Sequence, residues 1–320
     1  MNFNIIGDML QETLFLAKKQ ACHLNRHILA VTRLPIQAPD FIQLLEKNIE
    51  HSTINLWLGK DDYSLIGLGI AHELIAKGEN RFAVLSEAWK ELISDAVVTG
   101  NEGVIAMGGF RFDTDSCHSE LWNNFPDAVL IIPSIMICSR SNGTSDLIIS
   151  NMITSQSNIE NRLKEIEEFW HKINAKKEYK HSQSIKHFTI KEDSNLKAQW
   201  SNLVHHALED INQQKLKKVV IARQLHLKAD QPISLSHVIH KLRSNNPKAC
   251  VFAFDRQNSY FVGATPETLF SSRSGFFQTM ALAGTAPRGN SAQEDIILGE
   301  QLLHNMNDII QDLEQALAQS

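Results

Sequence analysis

A chain of 320 residues, 43% of them hydrophobic, is long enough for one large domain or two and has ample apolar content for a sizeable core. Its net charge of -5, with acidic and basic side chains interspersed, gives no polybasic face; this argues against nucleic acid and anionic membranes as partners and favours small-molecule chemistry. The four cysteines, Cys22, Cys117, Cys138 and Cys250, form no Cys-x-x-Cys pair, so neither a zinc knuckle nor a secreted disulfide framework is indicated, and a reducing cytoplasm is the expected compartment. The N-terminus lacks a basic segment followed by a long apolar run, and no stretch approaches the length that spans a bilayer, so a soluble protein without an export signal is expected.

In chain order, the spacing of Leu10, Leu14, Phe15 and Ala17 predicts an amphipathic helix over about residues 8–19. After the Pro35 and Pro39 punctuation and the Phe41–Glu46 stretch, the alternation in Ile54-Asn55-Leu56-Trp57-Leu58 predicts a strand. Leu65–Ala71 follows. Its Gly67-x-Gly69 spacing is not a dinucleotide fingerprint, because His72 stands where a third glycine is needed, and a structural role is expected for it. Phe82–Leu92 has helical spacing, and Gly103–Phe112 reads as a strand with small residues where another backbone packs close. Ala128–Pro133 is a buried strand that Ile135–Cys138 is expected to continue beyond the proline. Ser139–Thr144 is a hairpin turn with Leu147–Ile149 as its return strand. Strands succeeding strands, with short helices between, indicate a mixed α/β (α+β) fold with a largely antiparallel sheet flanked by helices.

Residues 158–170 predict a charged helix with Leu163, Ile166, Phe169 and Trp170 on one face. Lys172–His187 is polar and without period, the best linker, so residues 1–190 are expected to form an N-terminal α/β subdomain and 191–320 a second one. Asp193-Ser194 is placed to cap a helix in which Leu196, Trp200, Leu203, Val204, Ala207, Leu208 and Ile211 recur at spacings of three and four. It leads into Lys217-Lys218-Val219-Val220-Ile221-Ala222-Arg223, predicted as a buried strand. Ser236–Leu242 is a short helix, and Ala249–Phe254 pairs through a turn with Tyr260–Gly263. Ser291-Ala292-Gln293-Glu294 is a capping box opening a helix through Leu302-Leu303.

Three segments offer chemistry. In a strand Lys218 shares a face with Val220 and Ala222, and such surroundings desolvate an ammonium and lower its pKa towards that of a general base. Spacing alone fits a strand end in solvent as well. Glu267, between the turn at Pro266 and the apolar pair Leu269-Phe270, is placed for a raised carboxyl pKa and proton donation; a lone glutamate after a turn also fits a surface residue. Ala283-Gly284-Thr285 leaves backbone amides room to approach a ligand, and the threonine adds a hydroxyl donor, a cradle for a carboxylate. The histidines show no paired-ligand spacing, so no zinc site follows.

These segments, with Val262–Glu267, Ala281–Gly289 and the earlier Gly108-Gly109-Phe110-Arg111-Phe112-Asp113, resemble the chorismate-binding core of isochorismate synthases and their relatives, over roughly residues 50–303. The resemblance implies a chorismate-utilising fold of large, mainly antiparallel sheets sandwiched by helices, with the core in residues 191–320. It also implies isomerisation of chorismate to isochorismate, with Lys218 activating water, Glu267 protonating the departing hydroxyl, Ala283, Gly284 and Thr285 holding substrate, and Mg²⁺ as cofactor. Anthranilate synthases typically carry a glutamine where Lys218 stands, so no glutaminase subunit is expected. Ala283 occupies the position of the nucleophilic lysine of aminodeoxychorismate synthases, which disfavours covalent chemistry. A salicylate-synthase-like enzyme shares the lysine and is the alternative. The wording of Ala281–Gly289 resembles the menaquinone branch more than the siderophore branch.

The resemblance departs at the C-terminal end. The family's first magnesium glutamate aligns with Gln311, a poor ligand for a hard dication, and the chain reaches Ser320 before the second glutamate and the later substrate contacts. A truncated product, incomplete in fold, is therefore also expected, with a catalytically inactive remnant as a further alternative.

Overall fold

The computed structural model describes residues 3–37, 39–48, 53–59, 63–100, 103–114, 120–174, 188–190, 195–273, 275–279 and 287–303. They divide into two compact units, residues 1–264 and 265–320.

The first unit opens with α1 (Phe3–Leu24), which buries Leu10, Leu14, Ala17 and Ala21 at spacings of four, three and four, one stripe of a 3.6-residue helix. Phe15, expected on that stripe, lies beside it and is 51% exposed. The next strand, β1 (Ile28–Ile36), is buried without interruption from Ile28 to Leu34, because helices cover one face of its sheet and a second layer covers the other. Asp40 then caps α2 (Phe41–Asn48), its Oδ1 accepting from the Ile42 and Gln43 amides at 2.9 and 3.3 Å. The strands β2 (Ile54–Leu58), β3 (Tyr63–Leu68) and β4 (His72–Ala76) come next, followed by α3 (Arg81–Ser94), β5 (Val97–Thr99) and β6 (Met107–Phe110). A single 3₁₀ turn at Glu120–Trp122 precedes β7 (Ala128–Ile132), β8 (Ile135–Arg140), β9 (Ser145–Ile153) and α4 (Ile159–Asn174). Beyond these lie β10 (Phe188–Ile190), α5 (Leu196–Asn212), β11 (Leu227–Ala229), α6 (Leu235–Asn245), β12 (Cys250–Arg256) and β13 (Ser259–Thr265).

Eight of these strands form one sheet in the order β13-β12-β2-β3-β8-β9-β1-β5, antiparallel in the registers that define it except for the parallel pair β1–β5. Alternation sorts its side chains. Ile54, Leu56, Ile66, Leu68, Ile135, Ile137, Leu147 and Ile149 point to the helical layer with Leu10 and Leu14 of α1 and Ile239 of α6. Leu65, Met136, Cys138 and Ile148 point the other way, against Met107 and Ile132. Truncating one such fully buried leucine or isoleucine to alanine costs about 2–5 kcal/mol. β12 and β13 lie beyond residue 190 yet pair into the same sheet as β2, so one layer contains strands from both sides of the expected 190/191 boundary.

A smaller sheet, β4-β7-β6, lies on the second face. Here one expectation is corrected: Ile135–Cys138 does not continue the strand before Pro133. β7 belongs to the small sheet and β8 to the large one, and Pro133-Ser134 hands the chain from one to the other. A proline has no N–H for a ladder, so the strand breaks there. Pro133 packs over Gly67, where an added Cβ stands 2.4 Å from its Cγ, which gives that glycine its structural reason. The predicted hairpins form: β8–β9, and β12–β13 around Gln257 and Asn258, both at positive φ (49° and 64°) as a tight two-residue turn requires.

The second unit contains β14 (Ser271–Arg273), paired with β15 (Phe276–Gln278), and a helix, α7, over residues 292–303. Ser291 Oγ accepts from the Glu294 amide at 3.2 Å, as the predicted capping box requires. The Glu294 carboxylate reaches back one residue further, accepting from the Asn290 amide at 2.7 Å.

Candidate active site

Lys218 follows α5. That helix forms as its periodicity predicts, but its apolar stripe is not buried: Leu203 is 47% and Leu208 53% exposed, and no residue of the helix is fully covered. The predicted Asp193-Ser194 cap falls outside the described residues, and Asn195 occupies the N-cap position without a side-chain cap bond. After α5 the chain turns at Gln214 (φ 60°), where the Leu216 amide donates to Asp210 O at 3.3 Å.

From Lys217 to Arg223 the backbone forms no strand, which corrects the buried strand predicted there. The reason is physical. An apolar alternation becomes a strand only where a neighbouring edge accepts its N–H and C=O groups, and this segment enters none of the four sheets. Val220 is 83% exposed, Val219 41%, and Lys218 is exposed with them, so the apolar surroundings expected of a lysine base are not assembled around it. One contact ties the segment back to α5: the Arg223 guanidinium lies 5.8 Å from the centre of the Trp200 ring, a cation–π distance.

Glu267 opens the second unit. Thr265 Oγ1 accepts from the Glu267 amide and donates to the Glu267 carbonyl, both at 3.3 Å, a local side-chain turn that fixes the bend predicted at Thr265-Pro266-Glu267. The Glu267 side chain is exposed, and the apolar neighbours expected to desolvate it are themselves in solvent, Leu269 at 82% and Phe270 at 61%. Lys218 thus belongs to one compact unit and Glu267 to the other. Ala283, Gly284, Thr285 and Gln311 lie outside the described residues. Among the described residues no group of three His, Cys, Asp or Glu side chains is placed to hold a metal ion.

Strongly placed ionisable groups lie elsewhere in the first unit. Burial pushes the Asp146 carboxyl up, but hydrogen bonds from Arg140 (2.8 Å) and Arg33 (2.9 Å) outweigh it and hold its pKa below the usual carboxylate value. Burial raises Asp255, against the Ile54 and Asn258 amides and the Arg256 charge; its Oδ2 accepts from the Ile54 amide at 3.3 Å and anchors the start of β2. Burial also lowers His72, against the opposing charge of Glu73 and with a smaller push from His27. These are framework roles.

Sequence reasoning missed a cleft of about 570 Å³ lined by Gly108–Phe112 together with Trp57, Trp122, Phe125 and Phe252. The signals for it were present in Trp122-x-x-Phe125 and Phe252-x-Phe254, aromatic pairs spaced to share a face.

The sequence profile described as "Chorismate binding enzyme" matches residues 15–312. The salicylate biosynthesis isochorismate synthase of Pseudomonas aeruginosa is 31% identical over 295 residues, covering 90% of this chain and 60% of that protein. The isochorismate synthase MenF of Bacillus subtilis is 23% identical over 308 residues, covering 92% and 64%. The chain therefore spans 60–64% of the length of these curated relatives. Among solved structures, MenF, the menaquinone-specific isochorismate synthase from Escherichia coli, aligns with a TM-score of 0.65 at 20% identity over 94% of this chain and 67% of that one, a likeness of fold.

Proposed function

The chain belongs to the chorismate binding enzyme family, and from that premise we propose that it serves the isomerisation of chorismate to isochorismate. One observation carries the choice within the family: the residue immediately before Val219-Val220 is Lys218, a potential base for water, where ammonia-using relatives typically carry glutamine. In the proposed reaction the Lys218 amine takes a proton from water as the water oxygen bonds to ring carbon 2. The ring double bonds shift, the carbon–oxygen bond at position 4 breaks, and Glu267 delivers a proton to the departing hydroxyl, which leaves as water. One water enters and one leaves, so the product is an isomer. Such positioned proton transfers contribute about 10²–10⁴-fold each. Ala283, Gly284 and Thr285 are proposed to hold a substrate carboxylate. Magnesium, which the resemblance implies, finds no acidic cluster among the described residues. A reducing, cytoplasmic setting is part of the proposal; Cys22 and Cys250 are free thiols, and no helix among the described residues is long and apolar enough to cross a membrane.

A second reading, a chain that binds chorismate without turning it over, is favoured by the solvent exposure of Lys218 and Glu267 and of the apolar residues beside them. A lysine base must be neutral to act, and burial is what makes it so. Incubation with chorismate, with and without Mg²⁺, and chromatographic assay of isochorismate separates the two. Product formation that Lys218→Ala reduces at least 100-fold supports the first reading; binding by calorimetry without product supports the second.

A further inference from the structure

Among the described residues, neither Lys218 nor Glu267 lines the aromatic cleft of the first unit, and the cleft has the construction of a small-molecule site. One wall is the face of the large sheet opposite its helices, with Trp57 of β2, Phe252 of β12 and Phe261 of β13; facing it are β6 and β7, and Trp122 and Phe125 line it from the segment before β7. The rings are held by one another. Trp122 meets Phe261 edge to face at 5.1 Å (67°) and Phe125 at 5.5 Å (71°), Phe125 meets Phe261 at 6.3 Å (73°), and Phe252 lies 5.2 Å from Phe261. These are the offset geometries that aromatic quadrupoles favour, so the walls are pre-formed. The far end of β6 is fixed too: Arg81, 7% exposed, donates through Nη2 to Arg111 O at 2.9 Å and Phe112 O at 3.1 Å.

Gly109 in the β6 wall is the telling residue. Its neighbour Gly108 has a packing reason, since a Cβ there falls 1.9 Å from Val129 O. At Gly109 a Cβ meets nothing within 4 Å and φ is not positive, so neither sterics nor backbone conformation requires glycine, although glycine weakens a strand. What its missing side chain leaves is open space in the wall of the cleft. The two arginines that reach the lining are compensated, Arg256 by an ion pair with Glu73 and Arg111 by Asp127 at 3.4 Å. We propose that this cleft binds an uncharged planar aromatic compound, its ring laid over the bare backbone at Gly109 and flanked by Trp122, Phe252 and Phe261.

The test uses the full chain and a matched pair of fluorophores, neutral N-phenyl-1-naphthylamine and its sulfonated analogue 1-anilinonaphthalene-8-sulfonate. The neutral probe is expected to bind one to one, at least tenfold more tightly than the sulfonate, with energy transfer from Trp57 and Trp122. Gly109→Val is expected to weaken neutral-probe binding at least tenfold, and Gly109→Ala by less. The double variant Trp57→Phe/Trp122→Phe, which keeps both rings, is expected to lose most of the transfer; this arm decides the matter should Gly109→Val fail to fold. Tighter binding of the sulfonate overturns the ligand class. Undiminished binding by a folded Gly109→Val, or undiminished transfer in Trp57→Phe/Trp122→Phe, places the probe elsewhere and overturns the site.

Discussion

Two adjacent glycines give the sharpest test of how β6 meets β7. Gly108 pairs with Leu130 and Gly109 with Val129 in that antiparallel ladder. A Cβ on Gly108 lands 1.9 Å from the Val129 carbonyl oxygen, 2.9 Å from the Val129 carbonyl carbon and 2.9 Å from Leu130 Cδ2. Two of these atoms are backbone in the middle of a three-stranded sheet, so relief requires β7 to move by more than 1 Å or the pair to separate. Gly108→Ala is therefore expected to cost about 3 kcal/mol, the upper part of the range for overpacking. Gly109→Ala meets no atom within 4 Å and is expected to be neutral or stabilising by about 0.5 kcal/mol through its effect on the unfolded chain. All five tryptophans lie in residues 1–264, so urea unfolding followed by their fluorescence reports on the first unit alone. With a urea dependence of about 3 kcal/mol per molar, the Gly108→Ala midpoint falls by about 1 M while that of Gly109→Ala does not fall. Equal midpoints for the two variants would refute the reasoning.

Other expectations follow from single groups. Cys22 is exposed, whereas the half-buried Cys250 thiol is pushed up to about 11 and Cys138 is 4% exposed. Iodoacetamide at pH 8 should modify Cys22 before Cys138 and Cys250, as read by peptide mass spectrometry; equally fast labelling of Cys250 contradicts this. The Asp146 carboxyl titrates below its ordinary 3.8 in the folded chain, so its contribution to stability is complete above that pH and is lost as pH falls through the folded value. The urea-midpoint difference between wild type and Asp146→Asn should shrink on acidification below pH 3.8, and a constant difference argues against the Arg33–Asp146–Arg140 cluster. His72, lowered from 6.5, favours the neutral form in the fold, so protonation opposes folding and stability drops as pH falls below 6.5. His72→Gln should remove that part of the pH dependence; an unchanged profile would show that His72 is not its source.

Much of the first unit was legible because its signals are local. Leu10, Leu14 and Ala17 on the stripe of α1, the apolar face of α4 and the turns of the two hairpins need only neighbouring residues to specify them. What failed depends on distant partners. Pro133 ends one strand, yet only the tertiary structure decides that Ile135–Cys138 joins a different sheet. Lys217–Arg223 has strand-like alternation, but alternation supplies no edge to pair with, and the α5 stripe has helical spacing without an apolar surface to cover it. The same limit governs the site. The motifs around Lys218 and Glu267 make them candidates, whereas the burial that confers acid or base character comes from packing that is not present around either residue within its own unit.

The central claim is that Lys218 directs water, not ammonia, at the chorismate ring. Chromatography of a reaction containing the chain, chorismate and Mg²⁺, run beside Lys218→Ala and Lys218→Gln, tests it most directly. The account predicts isochorismate without pyruvate from the wild-type chain, and at least a 100-fold loss in both variants. Pyruvate with salicylate, or turnover unchanged by either substitution, would contradict it.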